Sequence, residues 1–182
     1  YFMSDFLTLK SVDEILAMND LFEPLAAESL PLSEGLGRVL ARAFTAPADL
    51  PGFDRSTMDG FAVRAKDVFG ASEGQPAALE LVGECPMGEA PAISLAPGQT
   101  ARIWTGGMLP KGADAVVMLE YSRQVGDGLI ELTRPAAPSA NVIGSSVDAE
   151  QGAELLPSGR TLRPQELGLL AALGPPEISV RH

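Results

Sequence analysis

The chain has 182 residues, of which 46% are hydrophobic and 20% charged, so it can bury a core and is not a disordered tail. Its 15 Pro and 19 Gly, with only 5% aromatic residues, predict many turns and short elements and exclude a bundle of long helices. The net charge of -11 disfavours binding to nucleic acid or to an anionic membrane. An anionic ligand would therefore need a local basic patch or a divalent cation.

The cysteine and histidine counts exclude several kinds of site. Cys85 is the only cysteine, so the chain has no internal disulfide and no cysteine-based zinc site, and we expect a cytoplasmic protein. His182 is the only histidine, which excludes His-based catalytic triads. No apolar run approaches the ~18 residues of a transmembrane helix, and no signal pattern is present. We interpret Tyr1 and Phe2, which precede Met3, as a remnant of cloning.

Two helices are predicted in the N-terminal part. Ser11 and Glu14 have the spacing of a capping box, and the apolar residues that follow predict a helix over 11–19 with a buried apolar side. Ser33 is a suitable N-cap for a second helix, in which Leu36 and Leu40 would lie on the packed side.

From Pro47 onward the sequence is typical of short strands between turns. Asp127-Gly128 predicts a hairpin between 121–125 and 129–133. Together the strands suggest a small β-barrel or sandwich. The predicted strands are 61–64, 79–84, 100–104, 115–120 and 129–133.

The C-terminal part returns to mixed structure. Residues 139–146 are small and polar and indicate a linker. Pro164 suits the first turn of a helix that Gly174 ends, and 177–180 reads as a short strand. We therefore predict a two-lobed α+β protein, in which a small β-barrel-like domain (46–140) is inserted into an α+β lobe formed by 3–45 and 141–182.

The polar loop at 51–63, termed the Asp59 loop, is the strongest candidate for a ligand-facing segment. It places two carboxylates, two hydroxyls and an Arg within six residues, between a Pro-Gly turn and an apolar run. A structural interpretation stays open, because Asp54 and Ser56 could cap a turn while Asp59-Gly60 bends the chain into a strand.

A second candidate is the loop at 105–114, termed the glycine loop. Gly106 and Gly107 could let the backbone approach a ligand and offer amide donors to an anion. The Gly-Lys-Ser/Thr end of a P-loop is absent, and a wide hairpin loop explains the segment equally well.

These segments, with others along the chain, resemble the molybdopterin molybdenumtransferases, the MoeA and gephyrin E-domain family. The similarity extends over nearly the whole chain from about residue 10 onward. The matching blocks are Pro-Gly-Phe-Asp-Arg-Ser-Thr-Met-Asp-Gly-Phe-Ala-Val at 51–63, Arg-Ile-Trp-Thr-Gly-Gly-Met-Leu-Pro-Lys-Gly-Ala-Asp-Ala-Val-Val at 102–117 with Glu120, Leu-Gly-Arg-Val-Leu-Ala at 36–41, and the run from Asn141 through Asp148 and Gly152 to Gly174.

The resemblance implies a function. Members of this family insert molybdenum from molybdate into adenylylated molybdopterin, releasing AMP in a magnesium-dependent step. They are homodimers whose active site is shared between the N-terminal half of one subunit and the pterin-binding domain of the other. By position the resemblance implies catalytic roles for Asp59, Thr105 and Asp148, of which Asp59 and Asp148 would hold Mg²⁺. The implied substrate-binding residues are Asp54, Ser56, Gly106 and Glu120.

The sequence departs from the family pattern at one wall of the implied site. The family carries an Arg after the Asn and a Gly-Glu-Asp triplet, whereas this chain has Val142 after Asn141 and Val147 before Asp148. A non-catalytic dimerisation or scaffold module with a degraded site is therefore the alternative. The pterin-binding domain would follow residue 182, so we expect an N-terminal part without turnover by itself.

A more distant alternative treats Asp59-Gly60 as half of an aspartic-protease dyad. The Asp-Thr/Ser-Gly order of those enzymes is absent, and Asp before Gly usually marks a turn.

Overall fold

The computed structural model describes residues 9–182, so the interpretation of Tyr1, Phe2 and Met3 lies outside the described residues. These residues form two compact units, 9–44 with 156–182, and 45–155. In chain order the helices and strands are α1 (Val12–Ala17), β1 (Ala27–Pro31), β2 (Val39–Leu40), β3 (Phe44–Thr45), β4 (Arg55–Ser56), β5 (Gly60–Val63), β6 (Ala77–Cys85), β7 (Gln99–Ile103), β8 (Ala115–Met118), β9 (Ser122–Val125), β10 (Leu129–Leu132), β11 (Val142–Ile143), β12 (Glu154–Leu156), α2 (Pro164–Leu173) and β13 (Glu177–Arg181).

The first unit contains a three-stranded antiparallel sheet in the order β1-β13-β2. The predicted C-terminal strand is thus confirmed as β13, and it occupies the centre of this sheet. Helix α2 begins at Pro164 and ends at Gly174, whose φ of 82° is the left-handed conformation that glycine adopts readily, as predicted. Leu162 and Leu170 are fully buried in the core of this unit with Val180.

A carboxylate is buried at the start of α2. Glu166 is only 5% exposed and accepts hydrogen bonds from the side chains of Arg160 and Arg163 and from the Arg163 backbone N–H. The hydrogen bonds from Arg163 and then from Arg160 hold the pKa of the Glu166 carboxyl well below its usual range. The acidic group therefore stays ionised, and it ties the segment before α2 to the first turn of that helix.

The N-terminal helix forms as predicted but its apolar side is not covered. Ser11 caps α1, since its hydroxyl accepts from the Glu14 N–H while the Glu14 carboxylate accepts from the Ser11 N–H at 2.7 Å. We expected the apolar side to be buried, yet Val12, Ile15 and Leu16 are all exposed in the described part of the chain. A good cap starts a helix locally, whereas burial needs a partner surface.

The predicted second helix after Ser33 is wrong. A single 3-10 turn over Leu32–Glu34 is followed by β2, in which Leu40 pairs with Val180. Gly37 has a φ of 76°, which ends any helix at that point, and pairing with β13 then favours an extended chain.

The second unit is built on a six-stranded mixed sheet in the order β8-β5-β7-β6-β10-β9. All of its pairs are antiparallel except β6 with β7, and the hairpin predicted at Asp127-Gly128 joins β9 to β10. The order is open, with β8 and β9 at the edges, so the sheet is a curled half-barrel and not a closed barrel.

Both faces of this sheet are packed. One face buries Phe61, Val63 and Ile130, and the other buries Ala62 and Ile103. Strands β5 and β8 are accordingly continuous apolar runs. The borders of the five predicted strands differ from those of the structure by no more than two residues.

Residues 139–146, predicted as a linker, contain a short strand. Val142 and Ile143 of β11 pair with Ser56 and Arg55 of β4, and the unit extends to residue 155, beyond the expected boundary at 140. Short polar segments that add a strand to an existing edge carry little signal of their own. No helix among residues 9–182 is long and apolar enough to span a membrane.

Candidate functional site

The Asp59 loop is fixed by the glycine loop. The Ser56 N–H donates to the Gly107 carbonyl at 2.9 Å, and the Gly106 N–H donates back to the Ser56 carbonyl at 2.8 Å. The Leu109 N–H donates to the Asp54 carbonyl at 2.9 Å. Two loops that are about 50 residues apart in sequence therefore lie side by side through main-chain hydrogen bonds.

A third segment, 139–148, holds the other side of the Asp59 loop. The Thr57 N–H donates to the Asn141 carbonyl at 2.9 Å. The Asp54 carboxylate accepts from the Ser145 N–H at 2.8 Å, so this side chain positions the loop. All three predicted candidate segments of the second unit thus meet around residues 54–59.

Asp59 and Thr105 form the central polar pair. Asp59 Oδ1 accepts from the Thr105 backbone N–H at 2.8 Å and from Thr105 Oγ1 at 2.9 Å, and both residues are exposed. The hydrogen bond from the Thr105 backbone, then that from its hydroxyl, and the positive charge of Arg102 lower the pKa of the Asp59 carboxyl below its ordinary value of 3.8. Asp59 is therefore an oriented, ionised carboxylate, and Oδ2 has no hydrogen-bond partner within residues 9–182.

Replacing Thr105 by Ala should raise the pKa of the Asp59 carboxyl, because it removes one of the two donors to Oδ1. The pKa should stay below 3.8, since the backbone N–H remains and is the stronger influence. Titration of the carboxyl carbon by NMR measures both values. An unchanged midpoint in Thr105→Ala would show that the hydroxyl does not bind the carboxylate.

The hydrogen bonds between Asp59 and Thr105 make the free energy of unfolding depend on pH. Because the pKa of Asp59 is lowered in the folded chain, its contribution is complete above the ordinary value of 3.8 and is lost as the pH falls through the folded value. In Thr105→Ala this contribution should be smaller, and its loss should be complete at a higher pH than in the parent chain, because the pKa of the folded chain lies closer to 3.8.

Two of the expected substrate-binding residues have supporting positions. Ser56 is 2% exposed, and its hydroxyl donates to the Met58 carbonyl at 2.5 Å, which closes the turn before Asp59. The N–H groups of Gly106 and Gly107 donate to the carbonyls of Ser56 and Trp104, at 2.8 and 2.9 Å. The amide donors that we expected the glycine loop to offer to an anion are thus engaged within the protein.

Asp148 and Glu120 lie on segments next to this pair. The Asp148 N–H donates to the Leu50 carbonyl at 2.9 Å, immediately before the Asp59 loop, and its side chain is exposed. Glu120 is exposed in a 3-10 turn over Leu119–Tyr121, whose first N–H donates to the Asp59 carbonyl at 2.9 Å. No hydrogen bond joins the Asp148 side chain to Asp59 or Thr105 within the described residues.

The acidic side chains do not form a metal cage by themselves. Among residues 9–182 there is no group of three or more His, Cys, Asp or Glu side chains that could hold a metal ion. Magnesium is commonly held by only one or two carboxylates together with substrate phosphates and water. Asp59, whose Oδ2 has no hydrogen-bond partner among the described residues, fits one such position, and the exposed Asp148 could supply a second carboxylate.

Cys85 takes no part in this chemistry. The side chain is fully buried, and burial, followed by the charge of Glu84, raises the pKa of its thiol to about 11. A thiol of this kind is neutral and unreactive at neutral pH.

The sequence reasoning missed Arg102. Its guanidinium carbon lies 5.2 Å from the ring centroid of Phe61 and 5.5 Å from that of Trp104. Phe61 and Arg102 are paired across β5 and β7, so both project from the same face of the sheet. The strand pattern at 100–104 could have indicated this, since residues 102 and 104 alternate onto one face.

Comparisons with known proteins agree with the resemblance. The family described as MoeA N-terminal region (domain I and II) matches residues 10–174. A molybdopterin molybdenumtransferase of Nostoc sp. is 41% identical over 144 residues, which are 79% of this chain and 33% of that protein. The enzyme of the same name from Synechococcus elongatus is 37% identical over 175 residues, 96% of this chain and 43% of that protein.

A solved structure has the same fold. The crystal structure of a molybdopterin biosynthesis MoeA protein from Pyrococcus horikoshii superposes with a TM-score of 0.84 at 37% identity, over 96% of this chain and 44% of that protein. The chain thus spans less than half the length of the curated relatives that it matches. On this combined agreement of sequence and fold, the chain belongs to the MoeA N-terminal region family.

Proposed function

We propose that this chain is the N-terminal part of a molybdopterin molybdenumtransferase, which inserts molybdenum from molybdate into adenylylated molybdopterin with release of AMP. The observation that carries the proposal is the Asp59–Thr105 pair, in which one carboxylate oxygen is fixed by two donors and the other has no hydrogen-bond partner among residues 9–182. An ionised carboxylate fixed in this way is preorganised to position a charged group during transfer.

Within this proposal Asp59 and Thr105 are catalytic residues, and Asp148 completes the set from the segment that follows β11. Asp54 and Ser56 act by holding the Asp59 loop against its neighbours, and Glu120 and Gly106 lie beside the pair. Magnesium would be held by Oδ2 of Asp59 and by Asp148, with the remaining positions filled by the substrate and water. The ion would neutralise phosphate charge when bound.

The partner arrangement is also a proposal. Since the chain spans 33% and 43% of two transferases that it matches, we propose that it acts with a pterin-binding region and has no turnover by itself. Association with a second copy is supported by the apolar side of α1, where Val12, Ile15 and Leu16 are exposed in the described part of the chain, and a site shared between the two copies is what the family resemblance implies. A cytoplasmic location agrees with the single, buried cysteine.

A scaffold role is the alternative, based on Val147 and the missing Arg near it. The intact pairing of Asp59 with Thr105 favours the enzyme, because a degraded site has no need to orient an exposed carboxylate. The full-length parent gene should restore molybdoenzyme activity to a bacterial strain that lacks its molybdenumtransferase. An empty vector is the control, and failure of a well-expressed parent to rescue would contradict the enzyme proposal.

A further inference from the structure

We propose that Arg102, together with Trp104, forms a binding subsite for a tetrahedral oxyanion next to Asp59. The inference rests on the proposed function and deepens it, since molybdate and the phosphate group of an adenylylated substrate are both tetrahedral oxyanions. It starts from the acidity of the chain, because a net charge of -11 repels anions unless a cation is placed where they bind.

The guanidinium of Arg102 is held in place without being neutralised. It lies over the rings of Phe61 and Trp104, at 5.2 and 5.5 Å from the ring centroids. Within the described residues no carboxylate forms an ion pair with it inside 4.0 Å, and its nitrogens have no hydrogen-bond partner. Stacking leaves the donors at the edge of a guanidinium available, and those donors match an oxyanion.

The surroundings leave space for a ligand. An open groove of about 440 Å³ runs along one side of Arg102 and is also lined by Phe61, Leu81, Glu84 and Gln124, whereas Trp104 is not part of its lining. Glu84 faces Arg102 in the register of β6 with β7, but it forms no ion pair with it in the part of the chain that the structure describes. Arg102 thus has no direct ion-pair partner among residues 9–182, although the Glu84 carboxylate lines the same groove.

Arg102 also acts electrostatically on the Asp59–Thr105 pair, since its positive charge is one of the influences that lower the pKa of the Asp59 carboxyl. Gly60 pairs with Ile103 across β5 and β7, so Asp59 and Thr105 follow directly at the same end of these strands. The amide donors of the glycine loop are engaged internally, at 2.8 Å for Gly106 and 2.9 Å for Gly107. In this proposal the guanidinium of Arg102 supplies an anion with the hydrogen-bond donors that Gly106 and Gly107 do not have available.

Trp104 makes the subsite directly measurable, because it is the only tryptophan of the chain. Trp104 fluorescence of the 182-residue chain should change in a saturable way on separate titrations with sodium molybdate, inorganic phosphate and AMP at constant ionic strength. Saturation by molybdate alone would assign the subsite to the metal oxyanion, and saturation by phosphate and AMP would assign it to the phosphate group. Either result supports the subsite.

The matched variants are Arg102→Met and Arg134→Met. Arg134 also lies over an aromatic ring of the same unit, 4.4 Å from the centroid of Tyr121, so its replacement controls for the loss of one stacked charge. Arg102→Met should weaken binding about tenfold or more, as expected for a charge-assisted hydrogen bond, and Arg134→Met should leave it unchanged. Arg102→Lys, which keeps the charge but loses the planar fork, should bind with intermediate affinity.

Three results would overturn the subsite: no saturable response to either anion in the parent chain, equal affinity in Arg102→Met and Arg134→Met, or the same response to adenosine, which has no anionic group. Circular dichroism of each variant establishes whether it is folded. If Arg102→Met does not fold, the titration of the parent chain still tests the proposal. If binding fails while the parent gene still rescues the deficient strain, the subsite is wrong and the proposed function stands.

Discussion

Replacing Asp59 by Asn in the full-length parent should lower molybdenum insertion by about 100-fold or more while leaving the fold intact. The side-chain oxygen of Asn can still accept from the Thr105 N–H and hydroxyl, which now bond Oδ1 at 2.8 and 2.9 Å. The substitution therefore removes the negative charge and keeps the local geometry. Formation of active cofactor, assayed by reconstitution of a molybdoenzyme, measures the effect.

Asp127→Asn is the matched control for this variant. Asp127 is another exposed aspartate of the same unit, in the turn between β9 and β10, so it loses the same charge without touching the Asp59–Thr105 pair. Its activity should equal that of the parent. Full activity of Asp59→Asn would remove Asp59 from the catalytic set, and equal losses in both variants would indicate a general effect of charge.

Replacing Gly60 by Ala should destabilise the second unit by about 3 kcal/mol or more. A Cβ atom at this position would lie 2.0 Å from the Val117 carbonyl oxygen and 2.9 Å from the carbonyl carbon. Both are backbone atoms of the neighbouring strand β8, which cannot move without breaking its pairing with β5. The only relief is displacement of the strand that carries Asp59 at its start, so the site should be disturbed as well.

Gly74→Ala is the control for Gly60→Ala, because a Cβ there meets nothing within 4 Å. Its stability should change by no more than about 0.5 kcal/mol. Urea unfolding followed by Trp104 fluorescence reports the second unit specifically, since Trp104 lies in that unit. Equal midpoints for the two variants would contradict the close approach of β5 and β8.

Local signals in the sequence were reliable where one short stretch contains the whole physical cause. The capping box of Ser11 and Glu14 starts α1, and Pro164 and Gly174 delimit α2. The Asp127-Gly128 turn joins two strands as predicted. In each case neighbouring residues satisfy the backbone donors or fix the backbone angles themselves.

Local sequence patterns predicted the wrong secondary structure where pairing with a strand that is distant in the sequence decides it. The segment after Ser33 has helical spacing, but pairing of Leu40 with Val180 makes it a strand. The expected linker at 139–146 includes a strand because β4 offers it an edge. The pairing partners lie well over 80 residues away in each case, so a local pattern does not contain them.

For the candidate site, too, the sequence predicted some features and only the structure shows others. The composition of residues 51–63 was enough to identify Asp59 as a candidate, and the family resemblance added Thr105. Only the structure shows that Thr105 donates twice to one oxygen of Asp59, that the Ser56 hydroxyl is buried, and that the amides of the glycine loop are engaged.

The sequence by itself determined the family, the polar loop and the acidic charge that any anionic ligand must overcome. The tertiary structure decided which of the polar groups remain free, because a donor or acceptor is available to a ligand only if no other part of the chain has bound it. Among residues 9–182, one oxygen of Asp59 has no hydrogen-bond partner, and the guanidinium of Arg102 stacks on two rings without an ion-pair partner. That selection depends on contacts between β5, β7 and their loops, which no single stretch of sequence contains.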